Sequence, residues 1–337
     1  MSDPEENGWR MTKKNDHSCI RKVEVTSFGR AKRTFSIVSR DPKTGELGVA
    51  VQSHWFGVGT DVSWAESGVG AVATQAYADP SYGPKGLDLM RQGKSAPEAL
   101  EQLIEADPQE ALRQVAMVDA KGRVAVHTGR RCMDYAGHKV GEGYSVQANM
   151  MLNDTVLPAM AKAFEATYGD LADRMMAALE AAQKAGGDIR GKQSAAMLVV
   201  KGQPSGEPWA DRVVDLRVDD HPEPIMELRR LLNVARAYKH MNAGDAAMEK
   251  NDVGKAMKEY NLAMRLAGGN MEMAFWSALT LTLKGNVSRA LPMFRKVFST
   301  DKNWIELLKR LPKTGMIPND RTGRALLDRI LKEAAQQ

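Results

Sequence analysis

The chain has 337 residues, of which 43% are hydrophobic and 26% charged, a composition typical of globular proteins that excludes disorder over its whole length. It contains no run of roughly 18 apolar residues and no apolar segment of signal-peptide type near its N-terminus, which argues against a membrane span and against secretion. The formal net charge is +5, and +3 of it falls before Thr34, so the nearly balanced remainder argues against nucleic-acid binding. Because Cys19 and Cys132 are too few for a disulfide scaffold, we expect a cytoplasmic protein in a reducing compartment.

Residues 1 to 33 carry scattered charges without a clear hydrophobic period, and they are predicted to form a flexible leader. Ordered structure is predicted from Thr34, because two runs rich in β-branched residues flank turn residues at 41 to 45 and so form a β-hairpin. The same pattern recurs around 120 to 122. Six to eight strands are predicted, drawn from 34 to 40, 46 to 53, 68 to 76, 113 to 119, 123 to 129, 143 to 149, 194 to 200 and 213 to 218.

Pairs of helices are predicted between these strands. Ser95 opens a helix with a capping box and a proline in the first turn, and a preceding helix is predicted at 83 to 93. A second pair is predicted at 156 to 167 and 170 to 185. Strands and helix pairs in separate blocks predict an α+β layered sandwich, in which helices cover antiparallel sheets, over residues 34 to 232.

The region from 233 to 337 is predicted to be a separate helical domain with an internal repeat. A shift of 34 residues aligns Ala256 with Ala290 and Tyr260 with Phe294, and 34 residues is the tetratricopeptide period. The alanines are predicted at close helix contacts and the two rings as large packing residues. Because two repeats are fewer than usually stand alone, neighbouring helices are expected to cap them.

Common catalytic motifs are absent from the sequence, including the nucleophile elbow, the phosphate-binding loop and the H-E-x-x-H zinc motif. No two histidines have the i, i+4 spacing of helical metal ligands, so neither a metal nor a cofactor is predicted. The histidines are His17, His54, His127, His138, His221 and His240.

The start of the ordered region has the layout of an N-terminal-nucleophile hydrolase: Thr34 begins the first strand, and a hairpin, a third strand and a helix pair follow. A threonine at a chain terminus carries its own general base, since an α-amino group has a pKa of roughly 7.7 to 8.0 and can accept the hydroxyl proton. The alternative is that threonine simply suits the start of a strand.

Five segments closely resemble a bacterial family known as domain of unknown function 1028 (DUF1028). They are TFSIVSRDPKTGELGVAVQS (34 to 53), WAESGVGAVATQAYADPSYGPKGLDLM (64 to 90), GEGYSVQANMM (141 to 151), GGDIRGKQSAAMLVV (186 to 200) and DLRVDDHPEPIMELRRLL (215 to 232). The resemblance covers about 200 residues in one order. It implies an α+β fold of N-terminal-nucleophile type, a four-layer αββα sandwich, with aminohydrolase activity.

The resemblance also identifies a departure at the start of the domain. Family members commonly open with Met-Thr-Phe-Ser, so that removal of methionine exposes the threonine, whereas here Thr34 follows Arg33. Three explanations remain open: self-processing between Arg33 and Thr34, a true translation start downstream of Met1, or a retained leader that leaves the site silent.

Supporting site residues are predicted from residue type and placement. Neutral amides and hydroxyls at strand ends or turns are candidate oxyanion donors: Gln75, Gln147, Asn149, Gln193 and Ser194. Asp188 and Arg190 are a candidate ion pair that braces Thr34, binds a substrate carboxylate or only stabilises its loop. Ser53 and His54 end the second strand near Thr34. The candidate pocket wall in the following strand-to-helix loop comprises Tyr77, Asp79, Ser81 and Tyr82.

These residues predict an amidohydrolase in which Thr34 attacks the carbonyl of a small amide, a lactam or a short peptide, with the helical region recruiting a protein partner. The fold analogy supplies the reaction class only. The rival hypothesis is a catalytically silent scaffold that binds through its repeats. A homodimer is the default expectation for the assembly.

Overall fold

In a computed structural model, residues 34 to 334 are described, and the predicted leader lies outside them. The strands are β1 Thr34–Arg40, β2 Leu47–Ser53, β3 Ser63–Glu66, β4 Gly70–Ala76, β5 Arg113–Asp119, β6 Val124–Thr128, β7 Gly137–Gly141, β8 Tyr144–Ala148, β9 Ser194–Val200 and β10 Arg212–Val218. The helices are α1 Val58–Val62, α2 Tyr82–Arg91, α3 Ala96–Glu105, α4 Val156–Ala166, α5 Leu171–Lys184, α6 Pro224–Glu249, α7 Val253–Leu266, α8 Met271–Leu283, α9 Val287–Thr300, α10 Asn303–Arg310 and α11 Arg321–Ala334. None of the helices in this part of the chain combines the length and apolarity that crossing a bilayer requires.

The strands form two antiparallel sheets, which confirms the α+β class predicted for this region. The six-stranded sheet has the order β10-β9-β2-β1-β8-β7, and the four-stranded sheet has the order β3-β4-β5-β6. The two predicted hairpins are confirmed as the pairs β1 with β2 and β5 with β6. Strand β1 therefore lies in the middle of its sheet, between β2 and β8.

Three apolar clusters define how the sheets and helices pack. Side chains of β1, β2, β8 and β9 pack against α4, α5 and the first part of α6 on one face of the six-stranded sheet. The opposite face of β1 and β2 packs against β4 and β5, so the two sheets lie face to face. The outer face of the four-stranded sheet is covered by α2 and α3. The predicted capping box of α3 is present, with Ser95 and Glu98 each bonded to the other's backbone.

The structure contains ten strands in the described residues, more than the six to eight predicted. The sequence prediction missed β3 and β7, which are edge strands of four and five residues, and the single short helix α1 between β2 and β3. Neither edge strand has a fully buried face, so neither shows the apolar alternation that identifies a strand in sequence.

Helix α6 joins the sandwich to the helical region. Its first turns place Ile225, Leu228 and Leu232 in the core beneath the six-stranded sheet, and its later turns place Ala237 and Met241 in the core of the helical region. The predicted domain boundary between 232 and 233 thus falls inside one continuous helix of 26 residues. Helix α6 packs along α7, and α8 packs along α9.

Candidate active site

The hydroxyl of Thr34 lies inside the protein at the start of β1. The residue is 0% exposed, and its Oγ1 donates a hydrogen bond to Ser53 Oγ at 3.2 Å, across the pairing of β1 with β2. Among the described residues, Ser53 is the one hydrogen-bond partner of this hydroxyl. Neither an imidazole nor a carboxylate from that part of the chain therefore contacts Thr34 Oγ1 to accept its proton.

The main-chain carbonyl of Thr34 accepts from amides on both sheets. The backbone N–H of Asn149, just after β8, donates to it at 3.1 Å, and Nδ2 of the same residue lies at 3.5 Å. From the facing sheet, Gln75 Nε2 donates to this carbonyl at 3.3 Å. Gln75 and Asn149, two of the candidate donors named from the sequence, thus lie beside Thr34.

A continuous chain of hydrogen bonds runs beside Thr34 between the two sheets. Ser145 Oγ donates to Gln147 Oε1 at 3.0 Å, Gln147 Nε2 donates to Ser36 Oγ at 2.6 Å, and Ser36 Oγ donates to Gln75 Oε1 at 2.6 Å. All four residues are 0% exposed. Because an unpaired buried amide is costly, this chain fixes each side chain in one orientation.

Gln114 on β5 holds this network together, and the sequence prediction missed it. Its Oε1 accepts from Gln75 Nε2 at 2.7 Å and from Asn149 Nδ2 at 3.0 Å. Its Nε2 donates to Thr128 Oγ1, Gly137 O and Ala148 O at 3.0, 3.0 and 2.9 Å. The signal in the sequence is a glutamine next to the apolar run 115 to 118 of this strand, and its importance depends on the pairing of Gln114 with Gln75 across the sheet.

Two strained backbone positions flank this amide network. Ala76, directly after Gln75, has a φ of 67°, and Met150, directly after Asn149, has a φ of 56°. These are left-handed conformations that residues with a side chain rarely adopt. Such strain persists where the surrounding contacts over-determine the backbone, and it recurs at functional sites.

The ion pair predicted between Asp188 and Arg190 is confirmed at the N-terminal end of β1. Arg190 donates to the carboxylate through Nη2 at 2.6 Å and Nε at 3.1 Å, and the Asp188 side chain is 0% exposed. The carboxylate also accepts from the backbone N–H of His54 at 3.2 Å, while Ile189 N–H donates to Met150 O at 3.2 Å.

The strand register shows where residues 188 to 190 lie relative to β1. His54 follows the Ser53 partner of Thr34 in β2, and Met150 follows Asn149 on the other side of β1. The segment from Asp188 to Arg190 bonds to both His54 and Met150, so it lies at the end of the sheet where Thr34 is found. The buried carboxylate of Asp188 therefore lies at the amino end of the strand that Thr34 begins.

Three other predicted residues lie near this end of the sheet in different roles. The hydroxyl of Ser194 donates to Trp55 O and accepts from Val58 N–H at 3.1 Å, so it holds the loop before α1. Gln193 Nε2 donates to Asp220 Oδ1 at 3.2 Å. His54 is exposed. Of the three, only His54 has an exposed side chain.

The residues predicted to form a pocket wall lie in two different places, and Tyr82 is separated from the others. Tyr82 is buried in the core under α2 and α3, where its hydroxyl donates to Asp107 Oδ2 at 3.0 Å, and burial together with this bond raises its pKa. Burial opposes ionisation of Asp107, but its bonds to Arg113 and neighbouring donors hold the pKa of that carboxyl below its usual range. The structure therefore does not bring Tyr82 to Thr34.

Tyr77 lies closer to the amide network, because it follows Gln75 and Ala76 directly. The guanidinium of Arg113 lies 5.2 Å from the centre of its ring and donates to its carbonyl at 2.6 Å. Asp79 caps the loop, accepting from Ser81 N–H at 2.9 Å. Asp79 and Ser81 thus shape the turn into α2.

No metal site or reactive thiol is present in the described part of the chain. No group of three or more His, Cys, Asp or Glu side chains in residues 34 to 334 is arranged to hold a metal ion. Burial raises the pKa of the Cys132 thiol to about 11, so this cysteine is protonated at neutral pH and is a poor nucleophile.

Comparisons with known proteins place the sandwich in a family. The crystal structure of protein SPO2555 from Silicibacter pomeroyi, itself assigned to DUF1028, is similar with 34% sequence identity and a TM-score of 0.54, covering 59% of this chain and 88% of that chain. No curated protein matches. The model of the family of unknown function DUF1028 matches residues 34–228, and the match begins at Thr34. The chain belongs to the DUF1028 family.

Proposed function

We propose that this protein is an amidohydrolase of N-terminal-nucleophile type and that Thr34 is its nucleophile. The observation that carries the proposal is the setting of Thr34: it lies in a central strand, buried, with its hydroxyl bonded to Ser53 and its carbonyl bonded by the neutral amides of Gln75 and Asn149. The family match beginning at the same residue supports it. The packing of helix, sheet, sheet and helix supports the αββα sandwich of such hydrolases.

The proposed reaction transfers an acyl group to Thr34. The hydroxyl oxygen attacks the amide carbonyl carbon, and the free α-amine of Thr34 accepts the hydroxyl proton and passes it to the leaving amine. Water then attacks the acyl ester, releases the carboxylic acid and restores the hydroxyl. The amine is the proposed base because, within residues 34 to 334, no other base contacts Thr34 Oγ1. Asp188, at the amino end of β1, would hold the ammonium form.

Asn149 is the proposed donor to the oxyanion of the tetrahedral intermediate. One hydrogen of its Nδ2 is used in the 3.0 Å bond to Gln114, and the other has only the long 3.5 Å contact with Thr34 O. In contrast, Gln75 Nε2 is already shared among three acceptors. Removing one such donor typically lowers kcat by about 100-fold to 1000-fold.

The α-amine must be freed for this chemistry. In the proposed self-processing route, Thr34 Oγ attacks the carbonyl carbon of Arg33, the peptide C–N bond breaks as its nitrogen gains a proton, and water hydrolyses the resulting ester. This route uses the same nucleophile as substrate hydrolysis. A downstream translation start would deliver the same free amine.

The test combines intact mass with covalent labelling. We expect the purified protein to have the mass of a chain that begins at Thr34. An epoxyketone, which bonds to both the hydroxyl and the amine of an N-terminal threonine, should label the peptide that contains Thr34. Thr34→Ser should retain labelling, and Thr34→Ala should abolish it. Ser39→Ala is the matched control, because Ser39 is a buried hydroxyl near the other end of the same strand and lies outside the amide network.

A chain that keeps its leader and resists labelling in the wild type would contradict the proposal and favour the silent scaffold. Thr34→Ala should remain folded, because losing one hydrogen bond costs only about 1 kcal/mol. Its thermal midpoint therefore separates loss of chemistry from loss of fold.

We further propose that the helical region is a tetratricopeptide-like module that binds a protein partner. Helices α7 and α9 begin and end 34 residues apart, as the repeat predicts. Ala256, Ala290, Tyr260 and Phe294 are all 0% exposed in its core. Deleting α8 to α11 should abolish partner binding while a small amide is still hydrolysed, and complete loss of hydrolysis in a folded truncated chain would contradict the separation of roles.

A further inference from the structure

A groove of about 390 Å³ opens on the helical region where α7, α8 and α9 meet. It lies beside the turn between α7 and α8, where Gly268 and Gly269 have no side chains to fill it. Its lining comprises Asn261, Met264, Arg265, Gly268, Gly269, Asn270, Met271, Ala274 and Lys296. The groove is thus open because the turn is built of small residues.

The charged side chains that line the groove are Arg265 and Lys296, and both are cations. Both residues are exposed, and within residues 34 to 334 neither has a carboxylate partner. Elsewhere on these helices a few exposed cations are paired, such as Lys309 with Glu306 and Arg329 with Glu333. Two unpaired cations, with no acidic side chain among the lining residues, favour a negatively charged ligand in the groove.

The helical region as a whole is also basic. Residues 224 to 334 contain 20 Lys and Arg against 11 Asp and Glu, whereas residues 34 to 223 contain 19 against 26. The near balance of charge after residue 33 therefore conceals a basic helical region next to an acidic sandwich. A negatively charged partner is attracted to the helical region and repelled by the sandwich.

The rest of the lining distinguishes a peptide from a nucleic acid. Met264, Met271 and Ala274 supply an apolar surface, and thioethers adapt to aliphatic side chains. Single-stranded nucleic acids are bound by basic grooves that also carry aromatic rings for base stacking, and none of the lining residues is aromatic.

We propose that this groove binds an acidic, partly apolar segment of a partner protein, with a carboxylate between Arg265 and Lys296 and an aliphatic side chain against Met264 and Met271. The proposal rests on the protein-binding role proposed for the helical region and is independent of hydrolysis at Thr34. Because the carboxylate is recognised at an exposed groove, binding weakens as ionic strength rises.

The test measures fluorescence anisotropy of a labelled peptide of alternating Glu and Leu with the full-length protein. The double variant Arg265→Glu with Lys296→Glu should weaken binding by at least about tenfold, since two charge-assisted contacts become repulsive. The matched control is Lys255→Glu with Arg289→Glu, which makes the same charge change on α7 and α9 outside the groove lining. The control should change affinity by less than about threefold.

Several outcomes would overturn the proposal. Equal loss in the control variant would mean that only overall charge matters. Equal binding of a Gln and Leu peptide would contradict acidic recognition but leave the protein-binding role standing, and no binding of either peptide would contradict both. Tighter binding of a single-stranded oligonucleotide, lost in the groove variant alone, would assign the groove to nucleic acid. Labelling of Thr34, measured on the same variants, reports separately on the hydrolase.

Discussion

Gln75 and Gln114 face each other across β4 and β5, and a 2.7 Å hydrogen bond joins Gln75 Nε2 to Gln114 Oε1. Gln75 reaches from this pair to the carbonyl of Thr34 in the other sheet, and Gln114 reaches to Asn149. The two glutamines therefore tie the sheets together at the point where β1 begins. The candidate site is positioned by polar contacts between sheets and not by the apolar core alone.

The first prediction concerns the dependence of the network on Gln114. Gln114→Leu keeps the volume but leaves the amides of Gln75 and Asn149 without their shared acceptor and three further groups without a donor. We expect a loss of about 3 kcal/mol or more in the free energy of unfolding, measured by urea denaturation. Gln102→Leu, on the exposed face of α3, should change it by less than about 0.5 kcal/mol. Equal effects would show that Gln114 is not the centre of the network.

The second prediction concerns the pH dependence of the proposed hydrolysis. If the base is the α-amine of Thr34, kcat/KM rises with pH through an apparent pKa of roughly 7 to 8. The value of kcat/KM rises with pH because the amine can accept the hydroxyl proton only when it is unprotonated. A profile controlled only by a group that titrates below about 5 would instead indicate a carboxylate base.

The third prediction concerns the attachment of α6 to the sandwich. Asp173 on α5 bonds to Arg236 at 2.8 Å and Arg229 at 3.0 Å, and these bonds hold its pKa below the ordinary value of 3.8 although burial opposes them. A carboxyl with a lowered folded pKa stabilises the fold above its unfolded pKa and loses that contribution as pH falls through the folded value. Asp173→Asn should therefore destabilise the protein at neutral pH, and the difference from wild type should disappear on acidification below pH 3.8.

The measurement for Asp173 is chemical denaturation at a series of pH values. Asp154→Asn is the control, because this exposed carboxylate makes no ion pair with residues 34 to 334. A difference for Asp173→Asn that persists unchanged in acid would mean that its ion pairs do not contribute.

The fourth prediction concerns a close contact between α6 and α7 in the helical region. A Cβ added at Gly244 on α6 would lie 2.3 Å from Tyr260 Cε1 on α7. Gly244→Ala should therefore overpack the contact and cost about 1 to 3 kcal/mol, measured by thermal unfolding. Gly254→Ala meets no such atom and should instead stabilise α7 by up to about 1 kcal/mol. Stabilisation by both variants would contradict the close packing of α6 on α7.

The sequence alone determined the elements that depend only on residues close together in the chain. The hairpin at 41 to 45 and the capping box at Ser95 depend on neighbouring residues, so their types and spacing identify them. The 34-residue period also identified α7 and α9, because each helix must bury the same stripe. Thr34 was singled out by its place at the start of the first strand.

Only the tertiary structure decided which polar residues surround Thr34. Gln114 and Gln75 are 39 residues apart in sequence, and they meet because β4 and β5 pair in one register. Tyr82 and Asp79 belong to the same loop as Tyr77, yet Tyr82 turns into the core under α2 and α3. The course of α6 through both cores was likewise invisible in its sequence. A side chain's partners depend on strand register and on packing between layers, and these are set by contacts between residues far apart in the chain.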